Sequence, residues 1–179
     1  MIFRSKRKTF EKHIKPHLEH LYRLAYRLSG SKEDAEDLIQ DLVVKLFSNP
    51  TDLSQLDNPK TWLSKVLYRS FVDNYRRQNR SPIISIVPEE DEFSESTLTA
   101  LDDDQQNPET RTEHHRFIQL IDHSLKQMGE EYRVLIVMYE IEGYSLNEIQ
   151  QILDTPIGTL KSRLYRARKK LRNLIEAGT

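Results

Sequence analysis

Apolar residues recur at three- and four-residue steps along most of this chain, and each such run predicts an amphipathic helix with one face turned to a core. Leu18, Leu21, Leu24, Ala25 and Leu28 make the first stripe. It stops at Ser29-Gly30, where Gly30 can take the left-handed conformation that closes a helix. Ser31 then stands three residues before Asp34, a capping-box-like start with acidic groups in the first turn, and Ala35, Leu38, Ile39, Leu42 and Leu46 carry the inward face of a second helix. The outward face is Glu33, Asp37, Gln40, Asp41 and Val44. An apolar residue set among charges in this way has the composition of an interface centre. Asn49 to Pro59 reads as a polar loop, and Pro59 opens a third helix running to about Asn79. Leu63, Val66, Leu67, Ser70 and Asn74 share one side of it. The other displays Lys65, Tyr68, Arg69, Val72, Arg76 and Asn79, with Trp62, Phe71 and Tyr75 along the flanks.

The periodicity breaks from Ser81 to Pro108, a stretch with three prolines and the acidic runs Glu89-Glu90-Asp91-Glu92 and Asp102-Asp103-Asp104. Such a segment reads as a disordered or extended linker. Beyond it, Phe117, Leu120, Ile121, Leu125 and Met128 predict one helix, and Val134, Leu135, Val137, Met138 and Ile141 a second that stops at Gly143. Leu146, Ile149, Ile152 and Leu153 mark a third, ending at Asp154-Thr155-Pro156, where Thr155 is placed to cap a new helix and Pro156 fits its first turn. In that last helix Ile157, Leu160, Leu164, Ala167 and Leu171 turn inward, which leaves Thr159, Ser162, Tyr165, Arg166 and Lys169 outward. The pattern therefore predicts an all-α protein of two small helical domains, residues 1–80 and 111–179, joined by an acidic flexible linker over 81–110. A helix-turn-helix ends the second domain.

Charge sharpens this picture. The net charge of -1 hides a partition: residues 1–80 carry 16 basic and 10 acidic side chains, residues 81–113 carry 1 and 10, and residues 114–179 carry 10 and 8. From Pro156 to Arg172 there are seven basic residues and no acidic one. A basic face on the second helix of a turn-linked pair suits the major groove, with side chains near the helix start reaching base edges and flanking Lys and Arg holding phosphate. In the first domain Tyr68 lies on a basic face, and aromatics interleaved with Lys and Arg stack unpaired bases while gripping the backbone.

Other chemistries find little support. There is no cysteine, so disulfides and thiolate metal sites are excluded. His13, His17 and His20 are spaced as if to share a helical side, but Pro16 interrupts them and no carboxylates stand by to orient them, so they read as solvated surface and not as a metal site. The acidic helix lacks the His or Gly-rich phosphate loop of a metal-dependent enzyme. The basic start MIFRSKRKTF has no apolar run behind it, and no stretch approaches the roughly 20 apolar residues of a membrane span, so a cytoplasmic protein without membrane insertion is expected. Neither enzymatic activity nor a cofactor is expected.

These motifs resemble the extracytoplasmic-function sigma factors, over nearly the whole chain apart from linker and termini. SKEDAEDLIQDLVVKLF looks like the family's helix that docks on the clamp helices of the RNA polymerase β′ subunit, and NPKTWLSKVLYRSFVDNYRR like the helix that recognises and opens the -10 element. EEYRVLIVMYEIEGYSLNEIQQILDTPIGTLKSRLYRARKKL is similar to the -35-reading domain, most specifically in GTLKSRLYRARKKL. The resemblance implies that Asp37, Gln40, Asp41 and Val44 hold polymerase, that Trp62, Lys65, Tyr68, Arg69, Asp73 and Arg76 lie at the melted -10 strand, and that Thr159, Lys161, Ser162, Tyr165, Arg166 and Lys169 face the -35 groove. The implied partners are core RNA polymerase through its β′ and β subunits, promoter DNA and an anti-sigma factor. The other reading open to the residues is a stand-alone helix-turn-helix regulator, although the first domain would then have no task. Three positions depart from the family pattern: Arg69 stands where Asn is usual, near the flipped -10 base, Gln150 where a small residue packs the helix pair, and Asp154 where the turn has Gly. Asp tolerates a left-handed turn; Gln150 is expected to loosen the packing.

Overall fold

The computed structural model describes residues 12–48, 55–80 and 108–178, which form helices and turns with no strand among them. After a 3-10 turn at Lys15–His17, where Pro16 interrupts the chain, come α1 (Leu18–Ser29), α2 (Lys32–Ser48) and α3 (Pro59–Arg80). Local chemistry sets the joints. Gly30 closes α1 at φ 74°, its N–H donating to the Tyr26 carbonyl at 2.7 Å. Ser31 Oγ accepts the Asp34 N–H at 3.3 Å to start α2, and Asn58 Oδ1 accepts the Thr61 N–H at 3.1 Å to start α3. Leu21, Leu24, Leu28, Leu38, Leu42, Leu63 and Leu67 are buried between the three helices. Each contributes about 1.5–3 kcal/mol of burial energy, and all seven belong to a hydrophobic cluster that continues into the second unit.

The second unit comprises α4 (Pro108–Gln127), α5 (Glu130–Ile136), α6 (Leu146–Leu153) and α7 (Ile157–Gly178). α5 runs on into a π-helical turn, Val137–Ile141, closed by the Glu142 N–H on the Val137 carbonyl at 2.9 Å. Val134 through Met138 are all buried, so α5 is a central helix wrapped by its neighbours. Gly143, at φ 70°, turns the chain, and Ser145 and Glu148 form a reciprocal capping box at the head of α6. Asp154 then takes φ 50°, the one left-handed non-glycine among the described residues, and α7 begins. Leu160, Leu164 and Ala167 bury the inward face of α7, as their spacing predicts.

Four details differ from the sequence reading. Phe117 is 53% exposed and Ile118 is buried in its place, because α4 rests its contact stripe one residue further along than the aromatic suggested. Thr155 does not cap α7: its hydroxyl donates back to the Leu153 carbonyl at 3.1 Å, while the first ring of α7 closes from the Leu160 N–H onto the Pro156 carbonyl at 3.0 Å. Gln150 is exposed, so it takes no part in packing the helix pair. α4 already begins at Pro108, within the span assigned to the linker; residues 81–107 lie outside the described residues. The two units are in contact, α6 packing against α3 and the π turn against α1.

Candidate nucleic-acid interface

α7 presents the face that its pattern predicts. Tyr165 is 72% exposed, Lys161, Ser162, Arg166 and Lys169 are exposed, and Thr159 is half-buried. The seven cations of this helix divide in two. Arg163 pairs with Glu131 at 3.6 Å, Arg168 with Glu140 at 2.5 Å while lying over the Tyr139 ring, and the Lys170 ammonium sits 5.7 Å from the Tyr132 ring centre. These three brace α7 on α5 and the π turn that continues it. Lys161, Arg166, Lys169 and Arg172 make no ion pair among the described residues, so their charge faces solvent. The Arg166 Nε donates to the Ser162 carbonyl at 3.3 Å, which steadies the guanidinium and leaves its other donors for a ligand.

α3 is arranged otherwise. Leu63, Leu67, Ser70 and Phe71 are buried, which settles Phe71 as core; Trp62 is half-buried, and Phe71 stacks near Tyr68 and Tyr75 at 6.3 and 6.2 Å. Arg69, Asp73 and Arg76 are exposed. Tyr68 was expected on an open basic face but is half-buried, packed against the hydrophobic cluster beside Phe71. Burial pushes its hydroxyl pKa up, and the nearby Glu130 and Glu131 charges add to that. Lys65 and Arg69 are likewise engaged: Lys65 Nζ lies 2.7 Å from one oxygen of Asp154 and Arg69 Nη2 lies 3.3 Å from the other. Hydrogen bonds from these two cations hold the Asp154 carboxyl below its ordinary range.

Along the same contact runs a polar network that sequence reasoning missed. Ser64 Oγ and the Tyr144 hydroxyl are 2.6 Å apart, the hydroxyl is 2.5 Å from His20 Nε2, His20 Nδ1 is 3.0 Å from Glu142, and Glu142 also binds Arg27. His20 is therefore not the solvated residue expected of it. Burial raises the Glu142 carboxyl, but the hydrogen bond from His20 and the charge of Arg27 outweigh it and hold the group below the ordinary range. Glu148 reaches across as well, accepting from Asn58 Nδ2 at 2.9 Å and Thr61 Oγ1 at 3.1 Å. No local signal could have joined His20 to partners 122 and 124 positions away; an aromatic inside the Gly143–Ser145 turn was the one hint.

On α2, Asp37, Gln40 and Asp41 are exposed beside Val44, itself 62% exposed. A shallow depression lined by Asp34, Asp37, Gln40, Asp41, Asn74 and Arg77 joins this surface to the end of α3. Among the described residues no group of three or more metal-binding side chains converges.

A three-helix unit with an acidic outer face, tied to a unit ending in a basic helix-turn-helix, is the architecture of a sigma-70 protein: residues 13–81 match sigma-70 region 2 and residues 118–171 match sigma-70 region 4. The chain belongs to the extracytoplasmic-function sigma factors. It is 30% identical over 162 residues to the ECF RNA polymerase sigma factor SigE of Mycolicibacterium smegmatis, covering 90% of this chain and 60% of that protein. It is 27% identical over 159 residues to the RNA polymerase sigma factor SigV of Bacillus subtilis, covering 89% and 86%. The fold is similar to that of the sigma factor RpoE of Bartonella quintana, solved with the anti-sigma factor NepR, at TM-score 0.68 and 24% identity over 94% of this chain and 98% of that one.

Proposed function

We propose that the chain binds core RNA polymerase, directs it to promoters and assists strand opening, with residues 1–80 serving polymerase and the -10 element and residues 111–179 the -35 element. The observation that carries this reading is the division of charge on α7, where three cations brace the helix and four remain for DNA beside Thr159, Ser162 and Tyr165. Arg166 is suited to a guanine edge and Lys169, further along, to phosphate. On the first unit the acidic face of Asp37, Gln40 and Asp41 around Val44 fits the polymerase β′ clamp helices. Trp62, Lys65, Tyr68, Arg69, Asp73 and Arg76 would meet the separated -10 strand by stacking and phosphate contacts.

Neither unit alone offers a large DNA surface, so specificity would come from tethering both to one polymerase, where each raises the effective concentration of the other. In this role the chain supplies binding energy and no bond chemistry, and needs no cofactor. Among the described residues no helix is long and apolar enough to cross a membrane. An anti-sigma factor would be the regulator, as the structurally similar sigma factor RpoE of Bartonella quintana was solved with one. Co-purification of the full chain with core polymerase, followed by transcription from a promoter library, tests the proposal. Duplex binding without polymerase association would favour the stand-alone regulator instead.

A further inference from the structure

Two of the three departures from the family pattern meet in space. Asp154, at the left-handed turn between α6 and α7, lies between Lys65 and Arg69, within 2.7 and 3.3 Å of them. Opposed cations held around one anion's two oxygens form a phosphate-binding arrangement, and here a carboxylate of the chain itself occupies it. We propose that Asp154 is an internal mimic of the DNA backbone: in the free protein it occupies the cations that would take the -10 strand, and strand binding requires the helix-turn-helix unit to move off α3. This rests on the reading of α3 as the strand-binding helix.

The distribution of burial says how such a device would hold and release. The Asp154 and Arg69 side chains are 61% and 64% exposed, so their pair is screened by water and readily exchanged for phosphate. Glu142, Arg27 and Tyr144, by contrast, are 3%, 7% and 2% exposed. The linked groups Ser64, Tyr144, His20, Glu142 and Arg27 fix the closed geometry. Every one of them is polar and regains water on separation, which offsets part of the cost of parting the apolar residues that the two units share in one continuous cluster. The buried network sets where α6 sits, and the exposed turn presents the mimic.

The test uses the full chain and three variants with matched purposes. Asp154→Gly removes the carboxylate while keeping a residue that accepts the left-handed turn. Glu176→Gln, on the exposed end of α7, removes one negative charge elsewhere. Glu142→Gln with Tyr144→Phe cuts the network and leaves the DNA-facing residues alone. The probe is a short fluorescent single strand of mixed sequence, with circular dichroism confirming helix content. Asp154→Gly is expected to bind the strand about fivefold more tightly than Glu176→Gln, in line with the loss of two exposed ion pairs. The network variant is expected to expand in small-angle X-ray scattering and to gain strand affinity as well. Equal affinities for Asp154→Gly and Glu176→Gln, or no expansion on cutting the network, overturn the mimic. Adding Lys65→Ala separates this from the underlying reading: if Lys65→Ala costs strand affinity in either background, α3 is the strand-binding helix whatever Asp154 does, and if it costs nothing in both, the assignment of α3 has failed.

Discussion

The two proposed DNA faces of this molecule are built from similar residues and left in opposite states. α7 offers exposed Lys161, Tyr165, Arg166 and Lys169 on a helix braced from behind, whereas α3 has Tyr68 half-buried and Lys65 and Arg69 engaged by Asp154. A duplex -35 element must be read by a face already in shape, since bases in a groove offer little to reward rearrangement. A single strand exists only after opening, so a face that meets it can stay covered until then. The difference is one of timing as much as of composition.

The largest break in this comparison removes what both faces depend on. Asp41→Lys with Val44→Asp is expected to abolish co-purification with core polymerase, and hence promoter use by either face, while leaving the helical circular dichroism intact. Next in size, Leu160→Ala opens a cavity beneath α7 and should cost the second unit about 2–5 kcal/mol in thermal or denaturant unfolding. It should damage -35 binding while freeing α3. Arg166→Ala is expected to cost about 1–3 kcal/mol in affinity for a -35 duplex and to flatten preference at one or two positions of a randomised library. Lys169→Ala should weaken all sequences alike and lower the salt dependence by about one counterion. Lys170, set over Tyr132, should matter less than Lys169.

Acid gives a smaller handle on the covered face. Because Glu142 is held below the ordinary carboxylate range in the closed form, its contribution is present above that range and is lost as pH falls through its depressed value. The groups facing it are Arg27 and His20. Scattering profiles should therefore show a compact chain at neutral pH and expansion only in acid below the ordinary glutamate range.

How much of this was legible in the sequence depends on the range of the interaction. The stripe Leu160, Leu164 and Ala167 fixed which side of α7 faces out, and Gly30 and Ser31 stand at helix ends where short-range capping chemistry dictates the turn. Where packing on other helices decides, local spacing misled: Ile118 and not Phe117 was drawn inward, and Ile136, outside the predicted stripe, is buried between Leu135 and Val137 where α5 passes into the π turn. The contact between units was invisible, since His20, Arg27 and Lys65 pair with residues far along the chain and nothing near them announces it. Arg69 and Asp154 each stood out as departures. Only the fold shows that they answer one another.

Side-chain oxidation by hydroxyl radicals, read by mass spectrometry on the full chain, tests most directly whether one face is presented and the other covered. In the free protein Tyr165 should be modified rapidly, with Tyr68 slower and Tyr144 strongly protected. Adding core polymerase without DNA should raise Tyr68 and Tyr144 toward the Tyr165 rate as α6 leaves α3. Tyr68 and Tyr144 reacting as fast as Tyr165 before polymerase is added would contradict the covered face.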